Sequence, residues 1–129
     1  MNIKLNHIAI HVADLSRSVH FYGQVLGLRE IEEPFKDGLH AWFEIGEGTS
    51  AHLIEELELA PPVEKSKTNH LCFSVSSMEN FIEKLNLVTW PFENWAGERG
   101  KIHIRPDGIR QIFFKDPDGY WLEVNDDWT

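Results

Sequence analysis

The sequence predicts an α+β chain of 129 residues built from two copies of one βαβββ unit. Three observations carry this. The segment Asn6–Val12 (NHIAIHV) recurs as Asn69–Val75 (NHLCFSV), 63 positions further on. Each copy is followed by residues with helical spacing. Each then ends in strand-like segments with a glycine four residues before a metal-ligating residue type, Gly48 before His52 and Gly119 before Glu123. A repeat of this kind decides architecture, because each copy is one supersecondary unit.

The opening strands alternate. Ile8, Ile10 and Val12 are matched by Leu71, Phe73 and Val75, the period of two expected of a strand with one apolar face. The other face carries His7, Ala9 and His11 in the first copy and His70, Cys72 and Ser74 in the second, polar or small as a cavity wall would be. In the first helix Asp14 is the expected N-cap, Leu15, Val19, Tyr22 and Leu26 form the stripe, and Gly27 is the left-handed stop. In the second, Ser76-Ser77-Met78-Glu79 reads as a capping box, and Met78, Ile82 and Leu85 continue the stripe.

The closing strands are expected at 39–45 and 51–54, and again at 110–115 and 120–124. Gly48 and Gly119 sit at their hairpin turns, the second inside Asp116-Pro117-Asp118-Gly119. His52 and Glu123 therefore hold the same place in their copies, as do His7 and His70. The expected boundaries are 1–60 for the first module, 61–67 for a linker containing Pro61-Pro62, and 68–129 for the second module, together one structural domain. Residues 94–107 have poor periodicity and read partly as a loop, a candidate lid.

Composition narrows the function classes. Lys and Arg total 12 against 21 Asp and Glu, a formal charge of −9, which disfavours nucleic acid and anionic membrane surfaces. The single cysteine, Cys72, excludes an intramolecular disulfide framework. With no long apolar run at the N-terminus, the expected setting is the reducing cytoplasm.

In order and spacing, His7 at the head of the first strand, DLSRSVHFYGQVLGL, NHLCFSV with His70, and DPDGYWLEV with Glu123 resemble the vicinal oxygen chelate superfamily. That superfamily includes glyoxalases, bleomycin resistance proteins and dioxygenases. The resemblance implies a cupped mixed sheet around a metal cavity. It also implies one divalent ion (Zn, Ni, Co, Mn or Fe) on His7, His70 and Glu123. His52 falls where some relatives place a carboxylate or amide ligand, and is taken as the fourth. Three imidazoles and a carboxylate, with no thiolate, suit a catalytic rather than a structural ion.

The function expected is a glyoxalase-like lyase or isomerase acting on a small substrate with vicinal oxygens. Glu123 would shuttle a proton while the metal stabilises a developing enediolate. Two alternatives stay open. One is an Fe(II) extradiol-type dioxygenase using two His and one carboxylate. The other is a small-molecule binding or resistance protein, or a metal-dependent antibiotic-modifying transferase. His11 is a candidate substrate contact or a solvated strand end. Arg105 and Arg110 could grip an anion or lie in an exposed loop. Core packing is expected for each of the five tryptophans, with lining of the pocket the alternative for one or more, and a homodimer is expected because a small sheet leaves edges to cover.

Overall fold

The computed structural model describes residues 1–58 and 65–128. It divides into two compact units, Met1–Pro61 and Pro62–Thr129. Positions 61–64 of the expected linker lie outside the described residues.

The first unit runs β1 (His7–Val12), α1 (Leu15–His20), a π-helical turn (Phe21–Val25), β2 (Arg29–Ile31), β3 (His40–Ile45) and β4 (Thr49–Glu55). Its sheet has the order β1-β4-β3-β2, with β1 parallel to β4 and the other pairs antiparallel. The second unit runs β5 (His70–Ser74), α2 (Met78–Leu87), β6 (His103–Ile104), β7 (Arg110–Lys115) and β8 (Trp121–Asn125). Its sheet repeats the first as β5-β8-β7-β6. Both units are the expected βαβββ, each with its own mixed four-stranded sheet. The stretch expected as loop contains the short β6, and Glu93 bridges both Arg99 and Phe113.

The alternation of the opening strands holds. In β1, Ile10 and Val12 are buried while His7, Ala9 and His11 are exposed. Helix α1 begins where Asp14 accepts a hydrogen bond from the Arg17 amide at 3.1 Å. The Glu55 carboxylate takes the Leu15 amide at 2.8 Å, so two amides of its first turn are satisfied. After His20 the helix widens, with the Leu26 amide bonded to the Phe21 carbonyl. The extra residue in this turn adds Phe21 and Val25 to the buried set beside Tyr22 and Leu26. Gly27 then takes φ 94°, and the Leu28 amide reaches back to the Tyr22 carbonyl, closing the helix as expected.

In the second unit the cap is Ser77 rather than Ser76, and its side chain accepts from the Asn80 amide. Glu79, expected in a capping box, instead pairs with Arg110 of β7. The buried face of α2 is Met78, Phe81 and Leu85. The hydrophobic centre of each unit lies between helix and sheet: Val12, Tyr22, Phe43 and Leu53 in the first, Met78, Leu85, Ile112 and Leu122 in the second, all fully buried. Burial of this kind contributes roughly 1.5–3 kcal/mol per large side chain.

Candidate functional site

Strand pairing puts the repeated residues in matching places. Ala9 stands opposite His52 across the parallel β1–β4 pair, and Cys72 stands opposite Glu123 across β5–β8. In each unit the strand-opening histidine lies two residues before that pair, on the same face, because side chains alternate. Each module thus carries two of the four expected ligands: His7 with His52, and His70 with Glu123.

The second pair is in direct contact. His70 Nε2 lies 3.0 Å from Glu123 Oε1. His70 Nδ1 lies 2.7 Å from the Lys67 carbonyl, which can only accept, so Nδ1 carries a proton. In the neutral ring, Nε2 then presents a lone pair toward a carboxylate oxygen. Two acceptors at this distance need a proton or a cation between them. The other carboxylate oxygen, Oε2, accepts from Gln111 Nε2 at 2.9 Å, the Cys72 thiol at 3.2 Å and Asn125 Nδ2 at 3.4 Å. Glu123 is 5% exposed. A buried carboxylate surrounded by donors on one oxygen is held in orientation and keeps the other oxygen for His70. Gln111 and Asn125 were not among the sequence candidates. They face each other across β7–β8, and that register, set by the DPDG turn, was the available signal.

Although Cys72 is exposed on the sheet face, partial desolvation by its packed neighbours and then the Glu123 carboxylate beside it push its thiol up to about 12. This fits a cavity-wall residue and not a nucleophile.

The first pair is arranged differently. His7 Nδ1 lies 2.7 Å from Asn6 Oδ1, a contact that leaves Nε2 for another partner when Nδ1 is the protonated nitrogen. The His52 ring is sandwiched. It stacks on Trp42 at 3.8 Å with planes 2° apart, and on His7 at 4.1 Å with planes 12° apart. Its Nε2 lies 2.9 Å from Ser50 Oγ. Burial, then the nearby His7 and His40, lower its pKa, which favours the neutral, ligand-competent ring. An imidazole lone pair lies in the ring plane, and planes so nearly parallel meet far beyond a metal–nitrogen distance of ~2.0–2.2 Å. In this arrangement His7 and His52 cannot both point at one ion. His52 becomes a ligand only by leaving the stack.

These rings line a cleft of about 670 Å³, with Phe35, His40 and Trp42 on its walls. Trp42 is half-buried there, and no tryptophan is fully buried. Trp90 and Trp121 line a separate cleft in the second unit, and Trp95 and Trp128 are exposed. Core packing therefore gives way to the cleft-lining alternative for Trp42 and Trp121 on their strands and for Trp90, while Trp95 and Trp128, outside any strand or helix, are exposed. His11 pairs with Glu56 at 3.3 Å on an exposed strand end. Glu55 is occupied at the start of α1 by the Leu15 amide. Arg105 is paired with Asp107, and Arg110 with Glu79 and Asp126.

Among the described residues no group of three or more His, Cys, Asp or Glu side chains is arranged to hold a metal ion. The donor chemistry of the second unit's pair nonetheless suits one. His70 and Glu123 present a nitrogen and an oxygen that need a proton or a cation between them, and within the first unit His7 offers an imidazole nitrogen.

Comparison with known proteins completes the picture. The family model described as Glyoxalase/Bleomycin resistance protein/Dioxygenase superfamily matches residues 4–124. A protein named glyoxylase I 4 from Arabidopsis thaliana is 30% identical, the match covering 93% of this chain and 68% of that protein. A lactoylglutathione lyase from Pseudomonas putida is 26% identical, with 92% of this chain and 82% of that one covered. The crystal structure of a glyoxalase/dioxygenase from Nostoc punctiforme superposes with a TM-score of 0.80 at 29% identity, covering 98% of this chain and 92% of that one.

Proposed function

This chain belongs to the Glyoxalase/Bleomycin resistance protein/Dioxygenase superfamily, and on that premise we propose that it is a metal-dependent lyase or isomerase of glyoxalase type. Its substrate would be a small molecule with two neighbouring oxygens. The observation that carries the reading is the His70–Glu123 contact, 3.0 Å between two groups that need a proton or a cation between them, with His70 fixed from behind by the Lys67 carbonyl.

His7, His70 and Glu123 would hold the ion, with His52 joining if it leaves its stack on Trp42. The half-sites would come from one chain or from the two chains of a homodimer. A divalent ion there supplies Lewis acidity, favouring loss of a proton from a carbon next to a substrate oxygen. Glu123 takes that proton at Oε1 and returns it to the neighbouring carbon. Gln111, Cys72 and Asn125 hold Oε2, so the carboxylate acts from a set orientation. Phe113, paired with Glu123 across β7–β8 and buried, covers the carboxylate's side of the sheet and limits access of water.

Among the described residues no helix is long and apolar enough to cross a membrane. Family membership and the excess of acidic residues support a small-molecule substrate over nucleic acid, and a cytoplasmic setting is part of the proposal.

The test is α-proton exchange into D2O, followed by NMR, with metal-loaded protein and a panel of small hydroxyketones and dicarbonyl adducts. Metal-dependent exchange supports the reading. If none of the panel exchanges and the loaded protein instead consumes dioxygen with a catechol, the lyase reading is wrong.

A further inference from the structure

The second unit holds a cleft of about 520 Å³ that the chemistry above does not use. Its size suits a small organic ligand. The walls are Trp90, Phe92, Phe113 and Trp121, and two cations, Arg99 and Lys115, stand at its rim.

The charges decide what the cleft can hold. Arg29, Lys36, Lys67, Arg105 and Arg110 are all neutralised by carboxylates. Arg99 and Lys115 have no carboxylate partner among the described residues, although the chain carries a formal charge of −9. The two acids that line the same cleft are already engaged. Glu93 is held by Lys67 at 2.6 Å, and the Asp116 carboxylate accepts from the Asp118 and Tyr120 amides at 3.0 and 2.8 Å. Asp116 keeps its charge but turns a carboxylate oxygen to those amides, and with Lys67 on Glu93 the cleft offers a ligand a small excess of positive charge beside aromatic surface.

The cleft is also firmly built. Trp90 Nε1 donates to the Lys115 carbonyl at 3.0 Å, and Trp121 Nε1 to the Lys65 carbonyl at 3.1 Å. The Lys115 ammonium lies 5.0 Å from the centre of the Trp121 ring, so charge and ring surface are adjacent. Phe113 connects the cleft to the candidate site, its ring meeting His70 edge-on at 5.7 Å.

We propose that this cleft binds a small molecule that joins a flat unsaturated ring to a carboxylate, with the ring against Trp90, Phe92 and Trp121 and the carboxylate on Arg99 and Lys115. As a binding site it stands alone. As the anchor for the substrate of His70 and Glu123 it rests on the function proposed above.

The test uses 2-naphthoate as probe and its neutral counterpart 2-naphthamide as control, by calorimetry and by NMR of the indole N–H groups, on the metal-free and the metal-loaded protein. Charge-assisted contacts predict at least about tenfold tighter binding of the acid than of the amide. Arg99→Gln with Lys115→Gln, both on exposed positions, should remove that preference. The Trp90 and Trp121 indole signals should shift on binding. Equal affinity for acid and amide, unchanged affinity in the double variant, shifts confined to other residues, or no binding up to the solubility limit would each overturn the proposal. Probe binding without metal-dependent proton exchange would leave this site and defeat the proposed reaction. Exchange without probe binding would do the opposite.

Discussion

Replacing Glu123 by Gln separates a base from a ligand, and the geometry says the variant should fold. Oε2 accepts from Gln111, Cys72 and Asn125, while Oε1 faces a His70 nitrogen that presents a lone pair. A glutamine can keep its carbonyl oxygen toward the three donors and offer its N–H2 to His70, so every partner remains satisfied. The cost to stability should stay within the ~0.5–1.5 kcal/mol of an exchanged hydrogen bond. Glu123→Ala would instead leave several donors around a void and cost about 2–4 kcal/mol. The amide cannot accept a proton at neutral pH. Turnover of metal-saturated Glu123→Gln should therefore fall about 10²–10⁴-fold, the usual contribution of a positioned acid or base. That is roughly 2.7–5.4 kcal/mol of barrier at 1.36 kcal/mol per tenfold. The assay is α-proton exchange by NMR at saturating metal, with substrate binding measured separately. Unchanged exchange in the loaded variant would leave Glu123 a ligand without a role in proton transfer.

Three further outcomes follow from the same network. His52, its pKa lowered by burial and by His7 and His40, should titrate by NMR below an exposed histidine. The neutral ring's contribution to stability is present above the unfolded value of ~6.5 and lost as pH falls through the folded one; a midpoint at or above the unfolded value would contradict this. The Cys72 thiol, pushed up to about 12, should react with iodoacetamide at pH 8 far more slowly than free glutathione, and faster in Glu123→Gln; a rate matching free thiol would refute the contact. Arg110→Met should lower Tm by a few degrees at pH 7 by releasing Glu79 and Asp126, whose carboxyls Arg110 and neighbouring amides hold low. That stabilisation exists above the unfolded carboxyl pKa and is lost as pH falls through the folded values, so the difference in Tm should shrink in acid.

Much of the fold was legible because the repeat is local. The alternation around His7 and His70 set each opening strand's faces. Gly27, Gly48 and Gly119, all at positive φ, marked the helix stop and the two hairpin turns. The equivalence of His52 and Glu123 was legible for the same reason, and strand register confirms it through Ala9–His52 and Cys72–Glu123. What sequence reasoning missed depends on partners distant along the chain. The π-helical turn follows the fit of Phe21 and Val25 into the core. The cap falls on Ser77 and Glu79 turns outward because Arg110, 31 residues on, claims it. Trp42 meets His52 only once the hairpin register pairs them. That stack bears directly on the ligand set, since it turns a candidate fourth ligand into a ring that must move before it can coordinate.

The proposed metal site is tested most directly by metal analysis with variants. Elemental analysis and calorimetric titration of the purified protein should give about one divalent ion per chain. His7→Ala, His70→Ala and Glu123→Ala should each weaken binding by about tenfold or more, and His52→Ala by less, because its ring starts in the Trp42 stack. A protein that binds no divalent ion, or one whose ion is indifferent to His70→Ala and Glu123→Ala, would contradict it.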